Sequence, residues 1–224
     1  MKLAIFDVDG TLVDSSAMIA ASLTSAFRAE GLPVPDRTRM MSIVGLSLVE
    51  AMAALAPEET HTTHERLAAA YKQAFWEHRS RGAHTEDLFP GAHELLLKLR
   101  ARDDVLLGIA TGKSRRGVAH LIEKHGYEGW FATVQTSDDH PSKPHPSMIV
   151  TALAETGLAP AAAIMIGDTS YDIAMARAAG VWAAGVAWGN HPRAELSTAG
   201  AHSIASDFNE LAQHLDSLWQ EGAP

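Results

Sequence analysis

The sequence predicts an α/β protein: a doubly wound, Rossmann-like parallel sheet with an all-helical segment inserted after its first strand. Three observations carry this prediction. Short apolar runs alternate with amphipathic stretches through the second half of the chain, the pattern of a parallel sheet covered by helices on both faces. Several of those runs stop abruptly at a carboxylate, a threonine or a glycine. Between Asp14 and Thr85, by contrast, no strand pattern emerges and helical spacing dominates.

Taken in order, Lys2 to Thr11 reads KLAIFDVDGT. Leu3 to Phe6 is a buried strand by its length and apolarity, and Asp7, Asp9 and Gly10 turn it into a loop. Asp14 and Ser15 are good helix N-caps. Met18, Ile19, Leu23 and Phe27 then recur at helical spacing until Gly31. From Arg37 to about Arg81 helix follows helix. Met40, Met41 and Val44 lead to Gly45; Leu48, Met52 and Leu55 precede Pro57; Leu67, Tyr71, Phe75 and Trp76 form one apolar side. Alternation returns at Phe89-Pro90-Gly91 with a helix over Ala92 to Ala101 and a strand over Val105 to Ala110 that ends in Thr111-Gly112. A helix over Arg115 to His125, a strand over Phe131 to Thr136 and a helix over Ser147 to Thr156 follow. Ala162 to Ile166 is a strand ending in Gly167-Asp168, and Tyr171 to Ala179 is a helix. Val181 to Ala187 contains a strand, Ser203 to Ala205 is a short one, and Phe208 to Trp219 is the last helix. The expected division is a core of residues 1–14 and 88–224 and a helical insertion of residues 15–87, joined by short polar segments that suit a hinge.

Composition narrows the classes. With 224 residues, 46% hydrophobic and 20% charged, the chain is sized for one large domain or two modest ones with a well-buried core. The absence of cysteine excludes disulfides, thiol nucleophiles and cysteine-bound metal. A formal net charge of −9 argues against non-specific nucleic-acid binding. No stretch approaches the ~20 apolar residues of a membrane span, and the opening apolar run is too short for a signal peptide. The expectation is a soluble cytoplasmic protein with neither nucleic acid nor membrane as partner; its oligomeric state is not legible. An anionic small substrate would need local positive charge.

In an open parallel sheet the ligand site lies beyond the carboxyl ends of the strands. Four such ends or adjoining loops carry reactive residues: Asp7 and Asp9; Thr111, Gly112 and Lys113; Lys143 in SKPHP; Asp168 and, one helical turn on, Asp172. Two carboxylates as close as Asp7 and Asp9 repel unless a cation lies between them. The four aspartates are hard oxygen donors suited to Mg²⁺. Thr111 and the backbone N–H groups around Gly112 can cradle phosphoryl oxygens, and Lys143 supplies a point charge. A phosphoryl group neutralised in this way can be attacked by an anionic carboxylate. Asp7 is then the nucleophile that becomes an aspartyl-phosphate. Asp9 protonates the leaving oxygen and later activates water.

Other features read more plainly. Lys113-Ser114 resembles the tail of a Walker A sequence, but the required glycine falls at Leu107, and Gly108 is one residue too close, so no P-loop is expected. His61 and His64 read as a solvated helix start. His140 and His145 flank Lys143, and Arg79 and Arg81 read as solvated arginines. Lys72 is the one lysine of the insertion and lies in an ordinary helical position.

DVDGT at Asp7 to Thr11, ATG ending at Gly112, KPHP from Lys143 and GDTSYD from Gly167 to Asp172 together resemble the haloacid dehalogenase superfamily in order and spacing, over the whole chain. The insertion is similar to that superfamily's helical cap. Within it, FDVDGTLVDS, SKPHPSM and GVAWG most resemble phosphoglycolate phosphatase-like enzymes. The resemblance implies a Mg²⁺-dependent phosphatase of small phosphorylated metabolites, with 2-phosphoglycolate the leading candidate. It implies Asp7 as nucleophile and Asp9 as acid/base, with metal held by Asp7, Asp168 and the Asp9 backbone carbonyl. Thr111, Gly112 and Lys143 would hold the phosphoryl group, and Asp172 would orient a metal-bound water or Lys143. A cap loop at Gly45 and Leu46 would either close over the site and read the substrate or be an ordinary helix–helix turn. Gly112 stands where such phosphatases often have asparagine. Asp9 counts against true dehalogenase chemistry, and Lys72 gives little support to a phosphonatase. A phosphomutase, a pyrophosphatase or a sugar-phosphate phosphatase are the alternatives on the same scaffold. A phospho-accepting receiver module is disfavoured, because receivers have neither the helical insertion nor the second acid of DxD.

Overall fold

The computed structural model describes residues 1–82 and 85–221; residues 83–84, inside the expected insertion, and 222–224 lie outside the described residues. Strand β1 (Lys2–Phe6) is followed by the two-residue strand β2 (Val13–Asp14) and by helices α1 (Ser16–Ala29), α2 (Arg37–Ser42), α3 (Leu48–Leu55) and α4 (His61–Ser80). The chain returns through β3 (Asp87–Leu88) to α5 (Ala92–Arg100), β4 (Val105–Thr111), α6 (Arg115–His125), β5 (Phe131–Thr136) and α7 (Ser147–Thr156). A short 3₁₀ turn at Pro160–Ala162 leads to β6 (Ala163–Gly167), then α8 (Ser170–Ala179), β7 (Trp182–Val186), α9 (Arg193–Thr198), β8 (Ser203–Ala205) and α10 (Phe208–Leu218).

The main sheet has six parallel strands in the order β5-β4-β1-β6-β7-β8. The chain builds β1, β4 and β5 outward on one side, then returns to lay β6, β7 and β8 on the other. The strand order therefore reverses between β1 and β6, where ligands bind in doubly wound sheets. β1 explains its own sequence. Ala4 and Phe6 enter one core layer with Leu95, Leu96, Leu211 and Leu215 of α5 and α10. Leu3 and Ile5 enter the opposite layer with Met148, Ile149 and Ile173 of α7 and α8. A strand buried on both faces has no polar alternation to show, hence the unbroken LAIF.

Helices α1 to α4 have an apolar core of their own, built on Leu23, Phe27, Met52 and Leu67. Where the chain leaves and re-enters the core, short polar linkers were expected; the two crossings pair instead as an antiparallel ribbon, Val13 with Leu88 and Asp14 with Asp87. Two residues per strand is below what a periodicity can reveal. Asp14 sits in that ribbon and accepts from Ser16 Oγ at 2.9 Å, while Ser15, the helix's N-cap position, makes no side-chain cap bond. α9 was also not expected; six residues carry little periodic signal. His64 corrects the reading of a solvated pair. It is buried at the second turn of α4 and its Nε2 donates to the Ala56 carbonyl at 2.8 Å, whereas His61 is exposed beside Glu65. No helix among the described residues is long and apolar enough to cross a membrane.

Candidate active site

The parallel sheet brings the chemically reactive strand ends to one edge. Asp7 follows β1 directly, and its backbone N–H donates 2.9 Å to the Ile166 carbonyl, extending the β6 ladder by one residue. Asp168 follows β6 in the same way. Thr111 is the last residue of β4, beside Thr136 of β5. Asp172 opens α8 and closes a capping box with Thr169, each side chain bonded to the other's backbone. Lys143 comes from the loop after β5.

Asp7, Lys143, Asp168 and Asp172 are all buried. Lys143 Nζ donates 2.9 Å to Asp7 Oδ1 and 2.7 Å to Asp172 Oδ1. Asp172 Oδ2 accepts from the Thr169 backbone at 3.1 Å and its hydroxyl at 2.7 Å, so both its oxygens are engaged. Asp168 Oδ1 accepts from Thr11 Oγ1 at 3.0 Å, and Oδ2 from the Asn190 backbone and side chain at 2.7 and 2.8 Å. Among the described residues, Asp7 Oδ2 has no partner. One ammonium thus bonds two of the three carboxylates, and Asp168 is held by neutral donors alone.

The electrostatic result is a surplus of negative charge. Burial pushes the Asp7 carboxyl up to about 6; Lys143 opposes the rise, and the charges of Asp172 and Asp9 add to it. Burial, then the charges of Asp7 and Asp172, push Asp168 up to about 8 against its bonds from Asn190 and Thr11. Burial alone would lower the Lys143 ammonium, but Asp172 and Asp7 outweigh it and raise it. A divalent cation fits this set on two grounds. One oxygen each from Asp7, Asp168 and Asp172 lies within 4.8 Å of the others, and Asp7 offers an oxygen that nothing else satisfies. Hard oxygen donors of this kind suit Mg²⁺.

Asp9 stands apart from that cluster. Its carboxylate receives Lys113 Nζ at 2.8 and 3.1 Å. Thr111 is buried, and its Oγ1 accepts from the Lys113 backbone at 3.2 Å. A cleft of about 730 Å³ opens above Asp7, Asp9 and Thr111, with Leu46, Tyr71 and Phe75 of the helical insertion on its far wall. The loop between α2 and α3 reaches the core. Gly45 has φ +97°, Ser47 N–H donates to Ser142 Oγ at 2.9 Å, and the Ser42 carbonyl accepts from Tyr171 Oη at 3.1 Å. A Cβ on Gly112 would lie 2.6 Å from the Gly45 carbonyl oxygen, so the glycine at 112 is what lets this loop approach.

Two groups were missed in the sequence, and a third was singled out there without a role. Thr11 and Asn190 hold Asp168, and a signal existed for both, since they lie in the DVDGT and GVAWG-N stretches. Lys113 was set aside once the P-loop pattern failed. His140 is turned inward to Gln135 and Ser147 at 2.8 Å each. Arg79 is not a solvated arginine; its guanidinium grips Glu86, with Nε at 2.9 Å.

Known proteins resemble this chain over most of its length. The sequence profile of the haloacid dehalogenase-like hydrolases matches residues 4–186. The probable phosphatase IndB of Dickeya dadantii is 35% identical over 216 residues, 93% of this chain and 91% of that protein. A phosphoglycolate phosphatase of Photorhabdus laumondii is 28% identical, over 92% and 88%. The crystal structure of a hydrolase from Pseudomonas syringae superimposes with a TM-score of 0.83 at 28% identity, over 97% of this chain and 99% of that one. The chain belongs to the haloacid dehalogenase-like hydrolases.

Proposed function

We propose that this protein is a Mg²⁺-dependent phosphatase of small phosphorylated metabolites, with 2-phosphoglycolate the leading substrate. The observation that carries the reading is Asp7: one oxygen held by Lys143, the other unpartnered, at the floor of the cleft. Asp7 Oδ attacks phosphorus as the ester P–O bond breaks. The departing oxygen takes a proton from Asp9 and leaves as an alcohol. Asp9 then takes a proton from water, the water oxygen bonds to phosphorus, and the bond to Asp7 breaks, releasing phosphate. Thr111, the backbone at Gly112 and Lys143 hold the phosphoryl oxygens. Asp7, Asp168 and the Asp9 carbonyl hold the metal, which supplies charge neutralisation at the phosphoryl group. Asp172, whose Oδ1 accepts from Lys143 at 2.7 Å, orients that lysine. Helices α1 to α4 act as a cap, and the loop at Gly45 and Leu46 meets the substrate.

The choice of 2-phosphoglycolate is supported by the phosphoglycolate phosphatase of P. laumondii and by the shared motifs. The test is phosphate release from an aryl phosphate with Mg²⁺ and with chelator, followed by a panel including 2-phosphoglycolate, sugar phosphates and pyrophosphate. Turnover unaffected by chelator sinks the metal dependence, and a clear preference for another panel member replaces phosphoglycolate.

A further inference from the structure

Among the described residues, Lys113 is the one side chain that bonds the Asp9 carboxylate, and it engages both oxygens. Its Nζ also reaches Glu86 Oε1 at 3.0 Å. Glu86 lies in the return linker between α4 and β3, and Arg79 near the end of α4 binds its other oxygen. The ammonium sits 5.4 Å from the centre of the Phe75 ring, also on α4. All three partners are withdrawn from water: the side chains of Lys113, Asp9 and Glu86 are 8%, 15% and 10% exposed. Ion pairs removed from water in this way are held in one geometry, because breaking them leaves an uncompensated charge. The stem of Lys113 is confined too. A Cβ on Gly117, in the first turn of α6, would lie 2.8 Å from its Cγ and 3.1 Å from its Cε.

We propose that Lys113 is a positioning residue for Asp9: by bridging Asp9 to Glu86, it sets the carboxyl's orientation toward the leaving oxygen and ties it to the linker that carries the helical insertion. The proposal rests on the reading of Asp9 as the acid/base of a phosphatase. A lysine that served packing alone would affect all substrates equally. One that orients the acid matters in proportion to how much the leaving group needs a proton. An alkoxide must be protonated as it departs, whereas nitrophenolate need not be.

The test compares kcat/KM for 2-phosphoglycolate and p-nitrophenyl phosphate, with Mg²⁺, in the whole protein and its variants. In Lys113→Met the alkyl ester should lose about tenfold more than the aryl ester, a fraction of the roughly 10²- to 10⁴-fold that general-acid catalysis supplies. Gly117→Ala pushes the lysine stem aside without removing its charge and improves the intrinsic helix propensity of α6. It should show the same discrimination, smaller in size. Glu86→Gln, which keeps the Lys113–Asp9 pair but loosens its anchor, should fall between wild type and Lys113→Met. Equal losses on both esters, or no loss, in Lys113→Met overturn the proposal; if that variant does not fold, the same result in Gly117→Ala overturns it. Asp7→Asn separates the two levels. An active Asp7→Asn overturns the phosphatase mechanism itself. An inactive one, beside a Lys113→Met that treats the esters alike, removes only the positioning role.

Discussion

Lys143 donates to one oxygen of Asp7 at 2.9 Å and leaves the other without a partner among the described residues. That asymmetry pre-sorts the carboxylate: one oxygen is oriented by a fixed charge, the other is available. Asp7→Asn should therefore lower turnover by about 10⁴-fold or more, the scale on which removing a covalent nucleophile acts, while the fold, read by circular dichroism, stays intact. Asp9→Asn should slow both half-reactions and allow the phosphorylated protein to be trapped and seen by mass spectrometry. Substantial turnover in Asp7→Asn would contradict the assignment.

The crowded carboxylates set a pH dependence in metal-free protein. The folded-state values of Asp7 and Asp168, about 6 and about 8, lie above the ordinary 3.8. Raised carboxyls stabilise the fold fully below their ordinary value and lose that contribution as pH climbs through the folded values. In EDTA the urea midpoint should fall between about pH 4 and pH 8 relative to the same titration in Mg²⁺. His125 and His202, both lowered by burial, act oppositely near neutrality but contribute equally to both curves. A gap between the curves that narrows toward pH 8 would show that these carboxylates do not govern the effect. At a hundredfold excess over its dissociation constant, the metal should add about 2.7 kcal/mol by mass action.

Asn190 makes two bonds to Asp168 Oδ2. Asn190→Ala removes the side-chain donor and leaves the backbone one. Groups that orient metal ligands typically contribute about 10- to 100-fold in affinity. The Mg²⁺ concentration for half-maximal activity should rise within that range, with maximal activity at saturating metal much less affected. An unchanged Mg²⁺ titration would remove Asn190 from the site.

Gly112 and Gly45 touch where core and insertion meet, and a Cβ at 112 would lie 2.6 Å from a carbonyl oxygen. Neither backbone atom can swing aside as a flexible side chain would. Gly112→Ala should therefore shift the Gly45 loop, raising KM by about tenfold, the effect of roughly 1.4 kcal/mol. The change should be larger for small substrates that depend on the loop than for aryl esters. A KM unchanged across the panel would detach this loop from substrate recognition.

The alternation of apolar runs and amphipathic stretches was legible because a parallel sheet buried on both faces leaves nothing else to read. β1 shows this most plainly: Leu3 and Ile5 face one layer, Ala4 and Phe6 the other, and all four must be apolar. The long helical stretch before β3 was legible for the matching reason, its apolar faces recurring over many turns. The β2–β3 ribbon and α9 are too short to carry a period, and their pairing depends on contacts far away in the chain.

By itself the sequence determined which residue types stand at which strand ends, and the parallel topology it predicts is enough to bring Asp7, Thr111 and Asp168 to one edge. Local pattern encodes strand direction, and direction decides the edge. Only the tertiary structure decided how the charges divide. Lys143 serves Asp7 and Asp172, Lys113 serves Asp9 and Glu86, and Asn190 with Thr11 serves Asp168. Hydrogen bonds reach about 3 Å, whereas these partners are separated by 22 to 157 positions in the chain. No local periodicity encodes which lysine meets which aspartate; that follows only from packing the loops of a folded sheet against the returning linker.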